Sequence, residues 1–441
     1  LLTGRLGRTA CGGRLLLLLG PLAAICLAAG CAKPPADSKT RIRWVVDPNP
    51  VRADQIAGFE RQQDRIRVSV DPDAGSQKVL TQLAGRIYPD LFAIYDPASI
   101  RMFAKKGVLM DLGPLMAERG VDLDAFWPQL QPYIRQGDMI CGLPDNCGPY
   151  VVFYNKRLFG EAGIATPKAG WTWDDLLRAA HKLTLRDKRG RTTRFGIGYI
   201  EPWIVFWQYG GRMYSKDGKR CLIDSPECKK AARFWASLRL KQHVTPTPSE
   251  EQGLATLGSW GGAGNLFKAE RLGMYVAGRW MSIEYRKNKE LEWDVAPVPQ
   301  YGRVKATLLA SKVYAIPKGC QNTDAAADYL KYLVSKTNQL IVASTGDGIP
   351  SIRRFGETPE FLYNPDFPNE KSNQVYLDEM KHARAPEVSP YVSELEARAI
   401  FDEEMDVMWQ RRQSPDKACD NIARRVNALI RRNLANPNLL D

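Results

Sequence analysis

From Arg41 onward the chain alternates short runs of β-branched and aromatic residues with longer stretches whose apolar positions recur at helical spacing, the pattern of α/β layers. "RIRWVV" (41–46) predicts a strand, and 53–64, with Ile56 and Phe59 on one face, a helix. "IRVSV" (66–70) predicts a second strand, "SQKVLTQLAG" a second helix and "DLFAIYD" (90–96) a third strand, with Asp96-Pro97 opening the next helix. Parallel strands joined in this βαβαβα order place ligands at their carboxyl ends. After Gly148-Pro149 come a strand in "YVVFYNK" and a helix in "WTWDDLLRAAHKL", where Thr172 caps and Asp175 completes a capping box. "RFGIGYI" and "RLGMYVAG" predict further strands, and "SPECKKAARFWASLRL" a helix capped by Ser225 with Pro226 at its first position. From Val388 to the end the pattern is almost all helix.

The first forty residues differ. Arg5, Arg8 and Arg14 precede an apolar stretch of about fifteen residues from Leu15 to Ala29, broken by Gly20-Pro21, which is a signal-peptide core too short to span a membrane. Ala28, Ala29 and Gly30 ahead of Cys31 match the lipobox of bacterial lipoproteins. That resemblance implies a diacylglyceryl thioether on Cys31 and cleavage that leaves it N-terminal; an ordinary signal peptide with a stray cysteine is the alternative. The expectation is a signal peptide over 1–30 and a flexible tether over 31–40, where Pro, Ala, Lys, Asp and Ser cannot pack.

The remaining four hundred or so residues suffice for two domains with sizeable cores. The net charge of +13 is spread along the chain, and its densest pairs, Arg411-Arg412 and Arg424-Arg425, recur at helical spacing beside acids. That is a solvated basic surface and not a nucleic-acid stripe. Of nine cysteines, Cys11, Cys26 and Cys31 belong to the export segment. The other six lie in a compartment that permits disulfides, and close spacing suggests Cys141 with Cys147 and Cys221 with Cys228, then Cys320 with Cys419; six buried free thiols are the alternative. None of the spacings is C-x-x-C and there are only three histidines, which argues against zinc.

No G-x-S-x-G, H-E-x-x-H or G-x-x-x-x-G-K-[ST] pattern occurs, and His181, His243 and His382 are scattered through polar sequence. Carboxylates for glycoside hydrolysis could be drawn from Asp145, Glu201, Asp347 or Glu284, but the sequence brings no two of them together. The glycine-rich "LGSWGGAGN" (257–265) lacks the context of a phosphate cradle. Instead, aromatic residues stand beside short polar ones at strand ends and loops: Trp44 with Asp47, Tyr95 with Asp96, and Trp203 and Trp207 after "GIGYIEP", while Trp260 and Trp280 bracket the glycine-rich region. Flat rings suit the CH face of a pyranose, and Asp, Glu, Asn or Arg its hydroxyls.

Five blocks carry a family resemblance: "GLPDNCGPYVVFYNKRLFGEAGIATPKAGWTWDDLLRAAHKLT" (142–184), "LFKAERLGMYVAGRW" (266–280), "WDVAPVPQ" (293–300), "YAIPKGCQNTDAAADYLKYL" (314–333) and "GDGIPS" (346–351). In order and spacing they resemble the extracellular solute-binding proteins (family 1) of sugar ABC transporters, the class that includes the maltose-binding protein. The resemblance implies an α/β fold of the type II periplasmic-binding-protein kind, two lobes joined by a three-crossing hinge with the ligand cleft between them. It implies crossings near 148–150, near 308–312 and after Pro350, with 41–149 and 311–355 in lobe 1 and 150–310 and 356–441 in lobe 2. Carried over residue by residue, the ligand contacts it implies are Asp47, Tyr95 and Asp96 from the first lobe. Asn146, Glu201, Trp203, Trp207, Gly278 and Trp280 come from the second, and Asp347 and Ile349 from the third crossing, with Trp44 and Trp260 in second rank. The implied role is a monomeric, lipid-anchored binder without cofactor, metal, nucleic acid or catalysis, taking a sugar or oligosaccharide to a membrane permease. A binder of another solute, or an exported carbohydrate-active enzyme, is the alternative.

Overall fold

The structure is a computed structural model that describes residues 39–73, 77–254, 262–368 and 370–436. The export segment, Cys31, most of the tether and Trp260 lie outside the described residues. Three predicted strands, Thr40–Val46, Ile66–Pro72 and Leu91–Ile94, pair in parallel, with Thr40–Val46 in the middle. Leu91–Ile94 is buried along its whole length, as a parallel strand covered on both faces should be. A fourth strand, Val313–Ala315, closes the edge antiparallel to it. The helix Val51–Glu60 packs on Thr323–Leu333 and Lys336–Thr345, and Phe59 meets Tyr329 edge-on at 5.0 Å. Trp44, expected in second rank at a ligand, is instead wholly buried, edge-on to Tyr314 and Tyr329 at 5.2 and 5.3 Å.

A second sheet runs in the order Trp293–Ala296, Val151–Asn155, Leu272–Ala277, Thr192–Ile197, Leu185–Arg186. Alternation along Val151–Asn155 sends Val151 and Phe153 into one apolar core and Val152 and Tyr154 into another, so helices cover this sheet on both faces. The second of these cores is built by Pro202–Gln208, Pro226–Leu240, Glu394–Trp409 and Pro415–Ala435. The predicted helix starts form: Thr172 and Asp175 make the full capping box, and Ser225 accepts from Cys228 N with Pro226 at the first position.

A third sheet ties the two together in the order Ile349–Pro350, Asn146–Pro149, Thr307–Ser311, Ala383–Arg384. Asn146–Pro149 runs through Tyr150 into the second sheet, and Thr307–Ser311 through Lys312 into the first. The fold is thus a two-lobe α/β arrangement whose lobes share a small connecting sheet.

Candidate ligand cleft

A cavity of about 620 Å³ opens where the carboxyl end of Leu91–Ile94 faces the start of Pro202–Gln208 and the segment that leads into Glu394–Trp409. Its walls include Asp96 and Arg101 from one side, Leu308 from the connecting sheet, and Glu201, Trp203 and Glu394 from the other. Each is placed by local structure. Asp96 caps the helix Pro97–Lys105, accepting from Ser99 N at 2.7 Å and Ser99 Oγ at 2.7 Å. Glu201 stands immediately before Pro202 at the helix N-cap but makes no capping bond, so its carboxylate is left to the cavity. Trp203 stacks on Trp207 with centroids 5.7 Å apart, and Trp207, fully buried, donates from Nε1 to Glu387 Oε1 at 2.9 Å.

The electrostatics of the cavity follow from burial. Burial pushes the Glu201 carboxyl above its usual range against the pull of Arg398. Burial first, and then the neighbouring charge of Asp96, raise Glu394 to about 7, again with Arg398 opposing. Arg398 itself gives Nε to both carboxylate oxygens of Asp402 at 3.1 Å.

Other residues expected at the ligand come together elsewhere. Asp47, Asn146 and Asp347 meet under the connecting sheet in a buried charge network. Arg52 Nη2 lies 3.1 Å from Asp47 Oδ2 and 3.0 Å from Asp347 Oδ2, while its Nη1 is 3.6 Å from Asp145 Oδ2. Lys312 Nζ is 3.6 Å from Asp347 and 3.8 Å from Asp145, and the amides of Asn49 and Asn146 each donate to Asp347 at 2.7 Å. Although burial works to raise it, the Asp47 carboxyl is held below its usual range by Lys312 and Arg52; at Asp347 burial wins and the shift is upward. Tyr95 is tied to the same network, its hydroxyl accepting from Asp47 N at 3.0 Å and donating to Asp47 Oδ1 at 3.2 Å. Ile349 is wholly buried, paired with Cys147 in the connecting sheet. Trp280 is half-buried, edge-on to Tyr150 at 5.6 Å, and a Cβ on Gly278 would come within 1.9 Å of its ring, so glycine is what lets that ring fold back.

Of the expected contacts the structure thus gathers Asp96, Glu201 and Trp203 at the cleft cavity, Asp47, Tyr95, Asn146 and Asp347 in the network beside it, and Gly278 with Trp280 as a separate pair. Arg101, Glu394 and Arg398 were not foreseen. The resembling blocks end at Ser351, and nothing in "SELEAR" distinguishes a cleft acid from a solvated helical one.

The disulfides suggested by spacing are not formed. All six cysteines among the described residues are free, Cys320 half-buried and the rest buried. Cys147 lies within the connecting sheet, paired with Ser311 and Ile349, whereas Cys141 Sγ turns toward Met139 O. Cys221 Sγ contacts Met213 Sδ at 3.9 Å and Cys228 Sγ turns to Arg212 O at 3.5 Å.

The sequence profile of the bacterial extracellular solute-binding proteins matches residues 48–340. The diacetylchitobiose-binding protein DasA of Streptomyces coelicolor is 23% identical over 328 residues, 70% of this chain and 72% of that protein. Among solved structures, the ABC substrate-binding protein Lmo0181 of Listeria monocytogenes in complex with cycloalternan superposes with a TM-score of 0.78 at 23% identity, covering 88% of this chain and 98% of that one. UgpB of Mycobacterium tuberculosis in complex with glycerophosphocholine superposes with a TM-score of 0.75 at 17% identity, covering 90% and 100%.

Proposed function

The chain belongs to the bacterial extracellular solute-binding proteins, and from that premise we propose that it binds a sugar or oligosaccharide between its two lobes and delivers it to the permease of an ABC importer. The lobes of this reading are 41–149 with 311–355, and 150–310 with 356–441. The observation that carries it is the 620 Å³ cavity, whose walls combine Asp96 at a strand end with Glu201 and Trp203 at a helix start. A ring beside hydrogen-bonding carboxylates is what a polyol needs. Ligand contact by Trp280, backed by Gly278, belongs to the same reading, whereas Asp47, Asn146 and Asp347 act one layer back, fixing the connecting sheet about which the lobes would close. In this reading the chain binds without catalysis; of the carboxylates considered for hydrolysis, Asp145 and Asp347 share Arg52 and Lys312 in the interior, Glu284 pairs with Lys287, and Glu201 alone lines the cleft.

Anchoring through a lipidated Cys31 would keep this binder beside its permease. Among the described residues no helix is long and apolar enough to cross a membrane. Fatty-acid labelling should mark the wild type and not Cys31→Ser; equal labelling of both would remove the anchor.

The ligand reading is tested by a thermal-shift panel of carbohydrates, since a ligand at a hundredfold its dissociation constant adds about 2.7 kcal/mol of stability. A shift with a peptide or metal chelate and none with any polyol would sink it. The likeness to a glycerophosphocholine-bound neighbour supports a second reading, a glycerophosphodiester as the solute. Turnover of a glycoside by the same protein would favour an enzyme instead.

A further inference from the structure

The cleft contains more charge than a neutral polyol engages. Glu201 and Glu394 both line it, and among the described residues neither carboxylate has a hydrogen bond or an ion pair. Of the cations that line it, Arg398 is taken by Asp402 and Lys105 Nζ donates to Pro390 O at 3.2 Å, while Arg101 and Lys106 stand on the wall that carries Asp96. Asp96, whose charge bears on Glu394, adds a third carboxylate to the same space. On the opposite wall Arg101 keeps a buried Nε without a partner. Half-buried carboxylates left unpaired cost free energy that a hydroxyl relieves in part and a cation relieves more fully.

A largely apolar recess adjoins this cluster, lined by Trp203, Phe206, Met213 and Phe401, with Glu394 and the Asp402-bound Arg398 at its edge. Its free space of about 20 Å³ has room for a group of methyl size. Aromatic rings beside a carboxylate are the setting that favours an ammonium nitrogen over a neutral hydroxyl.

Resting on the reading of this cleft as the ligand site, we propose that the solute carries a positively charged nitrogen, held by Glu201 and Glu394 beside the Trp203 ring, with Arg101 taking an oxygen of the same molecule. The solute is then an amine-bearing or quaternary-ammonium polyol. A pH dependence follows. The groups that act on Glu394 are Asp96, Arg398 and Tyr214, and those on Glu201 are Arg398, Asp402 and the hydroxyls of Tyr150, Tyr199 and Tyr275. With Glu394 half-protonated at about 7, a cation binds best to the ionised form, so affinity rises as pH climbs through that value and binding releases protons.

The test pairs probes that differ in the charged nitrogen: glycerophosphocholine against glycerophosphoglycerol, both phosphodiesters, and de-N-acetylated chitobiose against diacetylchitobiose, with maltose as a neutral reference. Binding to the wild type, Glu201→Gln and Glu394→Gln is followed by thermal shift and titration calorimetry in buffers of different ionisation enthalpy. The expected result is that a charged-nitrogen probe binds the wild type about tenfold or more tightly than its partner, the size of one charge-assisted hydrogen bond for an amine or one desolvated cation–π contact for a quaternary nitrogen. That preference should collapse in either glutamine variant, whose unliganded melting stays at or above the wild-type value. A panel in which neutral members bind as well as charged ones, or a preference that survives both substitutions, overturns the charged nitrogen and leaves sugar import standing. A panel in which no polyol of either kind binds overturns both readings.

Discussion

Trp203 and Trp207 sit four residues apart on one short helix and stack on each other, yet only one walls the cleft. Trp207→Ala should cost about 3 to 5 kcal/mol of stability, because it empties a filled site in the core. Trp203→Ala should instead weaken ligand binding by about 1 to 3 kcal/mol with a smaller loss of stability, and Trp280→Ala should behave the same way. Denaturation and binding measured on each variant separate these outcomes; a Trp203→Ala protein that binds normally would take that ring out of the site. Helical spacing alone presents both rings as equal candidates. Which one meets solvent depends on Glu387, some 180 residues away. Acid titration gives a second check. The Glu394 carboxyl has its pKa raised to about 7 in the folded protein, so the native state binds more protons than the unfolded chain between the usual glutamate range and that value. Its contribution to stability is therefore full at low pH and lost as pH rises through about 7, and buried Glu379, also raised to about 7 by burial, adds the same slope. Glu394→Gln should flatten part of this decline in a pH series of chemical denaturation midpoints; an unchanged slope would place the Glu394 carboxylate in solvent.

Elements whose cause is local were legible without coordinates. Asp96-Pro97, Thr172 with Asp175, and Ser225-Pro226 each begin a helix where the side chain reaches an amide three residues on, and all three form as expected. Thr172→Ala should cost about 1 kcal/mol by equilibrium unfolding and leave ligand binding unchanged, since the cap lies outside the cleft; a matching loss of affinity would mean that this helix positions the site. The connecting sheet was legible only as points where the chain crosses. Two of its strands, Ile349–Pro350 and Ala383–Arg384, are two residues long, too short to carry alternation, and their pairing is decided by partners more than 70 residues away.

At the scale of the molecule, the two-lobe fold could be anticipated because the family blocks keep their order across most of the chain, but the interior of the junction could not. Asn49 and Asp347, 298 residues apart, meet at 2.7 Å, and no periodicity reports that Asp347 and Asp145 would share Arg52 and Lys312. Removing the cation that joins three carboxylates should be severe: Arg52→Ala is expected to lose about 3 to 5 kcal/mol, read by calorimetry as a lower melting temperature. An unshifted melt would show that the junction tolerates unpaired acid. The cysteines carry a practical consequence. Burial drives every described thiol upward, Cys141, Cys228 and Cys320 to about 11 and Cys221 to about 12, with Cys147 and Cys419 higher still, so near neutral pH each is overwhelmingly un-ionised and five of the six are shut away from reagents. A single cysteine introduced at the cleft rim, for instance in place of exposed Leu395, would therefore take a maleimide dye against little background, so that the proposed closure of the lobes would be read as a fluorescence signal.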